Sequence, residues 1–200
     1  MNKTWGEIRK EALHLGFDRE ANYVKYKDSF VKAFNWAQNH VAVMSGCIVE
    51  QIRIVKTASG ILEYHDLQDM ANRSGREFLH LAQRGVQKSG TSIRVESAKI
   101  VDNRFLQIDK NECEDIDVWM VCAPKPINES TPDSYECELP DKWAKLIPYY
   151  MANRLYLEDD AQKAGYYWNL AEDMMEHILM KEREPAVSVF GGIDIDGWCI

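Results

Sequence analysis

LPDKWAKLIPYYMANRLYLEDDAQKAGYYWNLAEDMMEHILMK, residues 139–181, reads as two helices joined by a turn, and it sets the architecture of the chain. It opens on Leu139-Pro140-Asp141, where proline suits a first helical position because its missing N–H would be unpaired there anyway. Trp143, Ile147, Tyr150, Met151 and Leu155 give the first helix an apolar face. Pro148 inside that run predicts a kink, since it deletes one helical hydrogen bond. Glu158-Asp159-Asp160 marks a turn, after which Ala161, Ala164, Trp168, Ala171, Met175 and Ile178 step by three and four residues along one stripe. So short a joint predicts antiparallel packing of the two helices.

After the pair, Pro185–Ile200 reads as an apolar, extended arm that spans roughly 50 Å when stretched. Val187, Val189, Phe190, Ile193, Ile195, Trp198 and Ile200 are costly to leave in water, because burying one such side chain is worth about 1.5–3 kcal/mol. A helical pair carrying such an arm suits a subunit that grips a neighbour; the alternative is an arm folded back on its own subunit.

The N-terminal part is also helical. Thr4-Trp5-Gly6-Glu7 has the form of a capping box, followed by Trp5, Ile8, Ala12 and Leu15 on one face. Asp18 caps a second, longer helix, in which Tyr23, Tyr26, Phe30, Ala33, Ala37, His40 and Met44 form an aromatic-rich core stripe. His40 reads as a satisfied interior histidine. From Cys47 the character changes: 47–56 is rich in β-branched residues, Ser59-Gly60 is a turn, and Ile61–Tyr64 is a second strand. Asp66 caps a helix through Leu67, Met70, Phe78, Leu79 and Ala82, with Ser74-Gly75 as a break point. Ser92–Val101, Asp102-Asn103 and Arg104–Ile108 form a hairpin, and Ile116–Cys122 is a strand stopped by Pro124 and Pro126.

The expected class is therefore α+β. A mainly helical bundle (1–46 and 139–183) brackets a β-rich insert (47–123, a hairpin and small sheet). A polar loop (124–138) leads into the C-terminal helices, and an extended arm (184–200) closes the chain.

With 46% apolar residues the chain is not disordered, and no apolar run reaches the roughly 20 residues of a membrane span. The segment Met-Asn-Lys-Thr-Trp-Gly-Glu lacks the apolar core of a signal peptide, so a reducing cytoplasm is expected. Five scattered cysteines without a C-x-x-C pair favour free thiols. The net charge is −8 and uneven: seven basic residues face five acidic in 1–46, ten face twelve in 47–123, and seven face fifteen in 124–200. Acidity of this kind argues against gripping nucleic acid through phosphates, and so against a DNA-binding regulator. Arg73, Arg76, Arg84, Lys88, Arg94 and Lys99 form a sparse basic series, read as a solvated face.

Enzyme motifs are weak. Glu172, Asp173 and Glu176 beside His177 suggest a metal site in a helical bundle, but adjacent Glu176 and His177 point about 100° apart rather than to one face. Glycine loops for phosphates, nucleophile elbows and paired-histidine motifs are not found in the sequence. No catalytic residue, metal or cofactor is expected.

The order of elements resembles the head–tail adaptor (connector) proteins of tailed bacteriophages, of the tail tubular A and portal-adaptor type. The residues that carry the likeness are Leu139-Pro140-Asp141-Lys142-Trp143, Ile147-Pro148-Tyr149-Tyr150-Met151-Ala152 and Leu155-Tyr156-Leu157-Glu158-Asp159-Asp160, with Ala164 and Tyr167. Tyr64-His65-Asp66-Leu67 and Cys122-Ala123-Pro124 add to it. The resemblance implies a virion structural protein, assembled in the host cytoplasm into a ring, usually of twelve subunits, at the portal vertex. It implies as partners a second copy of the chain, the portal protein, a tail or nozzle protein, and genomic DNA that passes without specific binding; no membrane is involved. The arm, with Val187, Val189, Phe190, Ile193, Ile195, Trp198 and Ile200, becomes the portal-contact candidate. Glu158, Asp159, Asp160, Glu172, Asp173 and Glu176 become candidates for an acidic channel wall that repels phosphates; twelve copies would carry about −96. The alternatives are a tail-completion, stopper or neck protein and, more remotely, a metal-binding helical-bundle enzyme.

Overall fold

The computed structural model describes residues 2–15, 20–55, 63–109 and 114–183. Within them the fold is α+β, as the periodicities imply. Helix α1 (Trp5–His14) starts on the expected capping box: the Glu7 amide donates to Thr4 Oγ1 at 3.3 Å, and the Thr4 amide donates to the Glu7 carboxylate at 2.8 Å. The long second helix expected from the aromatic stripe is broken in two, α2 (Glu20–Lys25) and α3 (Lys27–Ser45). Tyr26 leaves helical geometry at φ −116° and ψ 28°, which turns it into solvent and shifts the inward face. The buried stripe of α3 therefore runs through Phe30, Phe34, Ala37 and Val41, and Met44 is exposed. Phe34 meets the Trp5 ring edge-on at 4.8 Å. Asp18, the expected cap, lies outside the described residues.

The insert holds β1 (Val49–Ile54), β2 (Glu63–Asp66), α4 (Leu67–Asn72), β3 (Phe78–Lys88), β4 (Lys99–Val101), β5 (Phe105–Ile108) and β6 (Ile116–Cys122). Two antiparallel sheets form, in the orders β1-β6-β3 and β2-β5-β4. β6 is central because its residues Ile116, Val118, Met120 and Cys122 all enter the core. Asp66 does cap a helix, accepting from the amides of Gln68 (2.9 Å) and Asp69 (3.3 Å). That helix stops at Asn72, and Gly75 turns the chain at φ +71°. Phe78, Leu79 and Ala82, expected on the helix, lie instead in strand β3 against β6. Asp102 and Asn103, both at φ +53°, form the tight turn between β4 and β5, as their pairing predicted. Of the expected strand from Ser92, only Lys99–Val101 is extended, and Arg94 makes an isolated bridge to Gln87. The Ser59-Gly60 turn and Ile61-Leu62 lie outside the described residues.

Residues 124–138 have no helix or regular strand, yet they are pinned to α1 and α3. The amides of Trp5 and Gly6 donate to the carbonyls of Tyr135 (2.8 Å) and Asp133 (2.9 Å), and Arg9 pairs with Asp133 at 2.8 Å. Asn35 holds both backbone groups of Ile127. The expected first helix of the C-terminal pair is again two: α5 (Asp141–Ala144) and α6 (Ile147–Tyr156). Pro140 stands just outside α5, as its N-cap. Pro148 falls in the first turn of α6, where no helical hydrogen bond is lost; in place of a kink within one helix, the chain breaks into two helices at Lys145-Leu146, just before it. α7 (Ala161–Arg183) returns antiparallel: Asn153 donates to the Ala164 carbonyl at 3.0 Å, and Tyr150 to Glu172 at 2.8 Å. Ala164, Ala171 and Met175 are buried, Trp168 and Ile178 half-buried, and Ala161 exposed. One apolar cluster joins both parts, from Trp5 and Phe34 through Leu106 and Met120 to Trp143 and Tyr150.

Candidate functional site

The chemistry of the C-terminal pair gathers between α3, α6 and α7. Tyr150 is fully buried and its hydroxyl donates to Glu172 Oε1. Burial, and after it the neighbouring carboxylate, holds the Tyr150 phenol far above the ordinary tyrosine range. His40 lies across from them, with Nε2 at 3.5 Å from Glu172 Oε1. That nitrogen is buried and has no hydrogen-bond partner, so His40 is not the satisfied interior histidine its position suggested. Trp36 stacks on the His40 ring at 5.3 Å, Trp168 lies 5.2 Å away, and the Arg154 guanidinium sits 4.6 Å over Trp36. The sequence carries a signal for this cluster, since Trp36 and His40, like Trp168 and Glu172, are spaced i, i+4 on their helices.

The six acidic candidates fall into two groups, about 20 Å apart along α7. At the turn, Glu158 and Asp159 are exposed, while Asp160 caps α7 by accepting from the Lys163 amide at 3.0 Å. Farther along, Glu172 turns inward to Tyr150, whereas Asp173 and Glu176 are exposed. Together with Met44, Met175, Leu179 and Met180, these three carboxylates line an open groove of about 260 Å³. Glu172 thus serves the packing of the helix pair first. Glu158, Asp159, Asp173 and Glu176 make no ion pair among the described residues.

Val187, Val189, Phe190, Ile193, Ile195, Trp198 and Ile200 lie outside the described residues. Among the described residues, no group of three or more His, Cys, Asp or Glu side chains could hold a metal ion, and no helix is long and apolar enough to cross a membrane. The basic series is not one solvated face. Arg76 is held inside by Glu50 (3.0 Å), Glu138 (2.6 Å) and the Ala123 carbonyl (3.3 Å). Arg84 lies 4.6 Å over the Trp119 ring.

A second polar cluster, unforeseen from sequence, centres on buried Asp117 at the end of the β6-β3 pairing. It accepts from Arg53 Nε (3.1 Å), the Ser89 hydroxyl (3.2 Å) and the Gly90 amide (3.3 Å). The Arg53 bond in particular keeps its carboxyl below the usual range. Held by one strand neighbour and two residues of the turn, Asp117 fixes the turn after β3.

No protein-family model matches the chain, and no curated protein matches it.

Proposed function

We propose that the chain is a virion structural protein, a head–tail adaptor whose ring joins the portal to the tail and lets DNA pass. The observation that carries this reading is the outer face of the helical pair. Glu158, Asp159, Asp173 and Glu176 stand in solvent there without ion pairs among the described residues, beside exposed Leu157, Tyr166 and Met180. Exposed apolar side chains rimmed by charge are the composition of a surface that meets another protein. Repeated around a ring, the same carboxylates give a bore that repels phosphate and does not retain the DNA moving through it.

Adaptor function is mechanical on this reading: helices pack between neighbours, and the segment from Val187 to Ile200 grips the portal. Cryo-electron microscopy of the full chain mixed with the portal protein of the same genome, beside a chain ending at Glu184, tests both parts. The expected result is an added ring, of twelve subunits by the resemblance, with the full chain and a bare portal with the shortened one. A monomer that leaves the portal bare in both samples overturns the reading.

A further inference from the structure

Where the C-terminal end of α3 meets the outer face of the β1-β6-β3 sheet lies a groove of about 560 Å³. Val43, Met44 and Val49 on its walls are 41, 47 and 43% exposed, a degree of exposure that calls for a cover. Trp119 forms part of the floor, and its indole N–H is buried without an acceptor. His80 and Arg84 also line the groove, and among the described residues no carboxylate does, in a chain with 32 acidic residues against 24 basic.

The position and composition of one segment match this groove. Met44 is shared with the smaller groove against α7, where Leu179 and Met180 stand opposite it. Met180 precedes the last described residue, Arg183, by three positions, about one turn of helix. The described chain thus ends about one helical turn past a residue of the adjoining groove, and the seventeen residues that follow can reach up to roughly 56 Å. The segment is apolar, its charged residues are Glu184, Asp194 and Asp196, and it has no lysine or arginine.

We propose that residues 184–200 dock in this groove of their own subunit. Their apolar side chains cover Val43, Met44, Val49 and the exposed part of Trp119, and the carboxylates of Asp194 and Asp196 meet Arg84. A segment seated there is held back from any other partner until something displaces it. The docking needs no portal and no ring, so it stands or falls apart from the adaptor reading.

Hydrogen–deuterium exchange of the full chain tests it. In the unaltered protein the amides of 187–198 should exchange about tenfold or more slower than in Val49→Glu or Arg84→Glu, both surface changes in the groove. The difference should be the same in dilute and concentrated protein. Val24→Glu, an exposed position in α2 beyond the N-terminal end of α3, should leave exchange unchanged. Phe190→Asp with Trp198→Asp should in turn speed exchange across His80–Arg84. Arm amides that exchange at the free-chain rate, or protection indifferent to both groove variants, overturn the proposal. Protection lost on dilution also overturns it and assigns the groove to the segment of a second copy.

Discussion

The Tyr150 hydroxyl donates a 2.8 Å hydrogen bond to Glu172, tying the middle of α6 to the middle of α7 under a lid of Trp36 and Trp168. Removing the donor leaves a half-buried carboxylate facing an aromatic wall. Tyr150→Phe is expected to cost about 1–2 kcal/mol and to lower Tm by roughly 2–8 °C. The folded phenol keeps its proton above the unfolded value near pH 10, so its contribution is complete below that pH and fades as pH rises beyond it. Denaturant melts at rising alkaline pH should show a shallower loss in Tyr150→Phe than in the parent. Parallel slopes would remove Tyr150 from the account.

Gly6 marks where the N-terminal helix touches the 124–138 loop. A Cβ built there would stand 2.8 Å from Asp133 Cβ and 3.0 Å from its carbonyl oxygen, which already accepts from the Gly6 amide. Gly6→Ala should therefore destabilise by about 1–3 kcal/mol, against the usual helix preference for alanine. Gly165, in α7 with open space around it, should show the opposite sign, about 0.5–1 kcal/mol gained with alanine. Urea melts of the two variants check the contrast, and a stabilised Gly6→Ala would mean the loop moves away freely.

The parts of this fold legible in the sequence are those fixed by local rules. The Thr4-Glu7 box, the Asp66 cap, the Asp102-Asn103 turn and strand β6 each depend on a few adjacent residues, and each is found. Tertiary partners decided the rest. Phe78–Ala82 carries helical spacing, but β6 offers it a ladder of hydrogen bonds, and Gly75 cuts it off from α4. Pro148 reads as a kink only if the helix starts at Asp141; a fresh start at Ile147 makes the same residue harmless. The polar cluster of the site was half visible, since i, i+4 pairs can be read on each helix while their meeting across three helices cannot. Glu172 turns inward to Tyr150 while its neighbour Asp173 stands in solvent, because one residue along a helix rotates a side chain by about 100°.

Two of the described thiols are sealed. Cys122 and Cys137 are fully buried, and burial pushes each up to about 11 from an ordinary 9.0, with the Glu50 carboxylate adding to the effect at Cys122. The folded state holds these protons longer than the unfolded chain. The stability they contribute is complete below about pH 9 and declines as pH rises toward 11. Cys137→Ala should flatten that decline even though it lowers stability at neutral pH through the cavity it leaves. Residue-resolved labelling with an aromatic disulfide reagent at neutral pH should leave both thiols unmodified in the native protein. Prompt labelling of either would show that the core around β6 opens readily.

Exposed carboxylates that make no ion pair contribute little to stability, so any purpose they serve lies outside the subunit. Asp173→Lys with Glu176→Lys should change folding stability by no more than about 0.5 kcal/mol, since both side chains stand in solvent. Glu96→Lys with Glu129→Lys makes the same charge change at two other exposed positions and serves as the control. If Asp173 and Glu176 line a bore, rings assembled from the first pair should retain double-stranded DNA at low salt and release it as salt rises, through counterion release. Rings from the control pair should retain far less, because their new charges do not face the passing duplex. Gel mobility of DNA with each assembled ring across a salt series separates the cases. Equal retention by both would place Asp173 and Glu176 on an outer wall and return the acidity of the C-terminal third to a role in solubility.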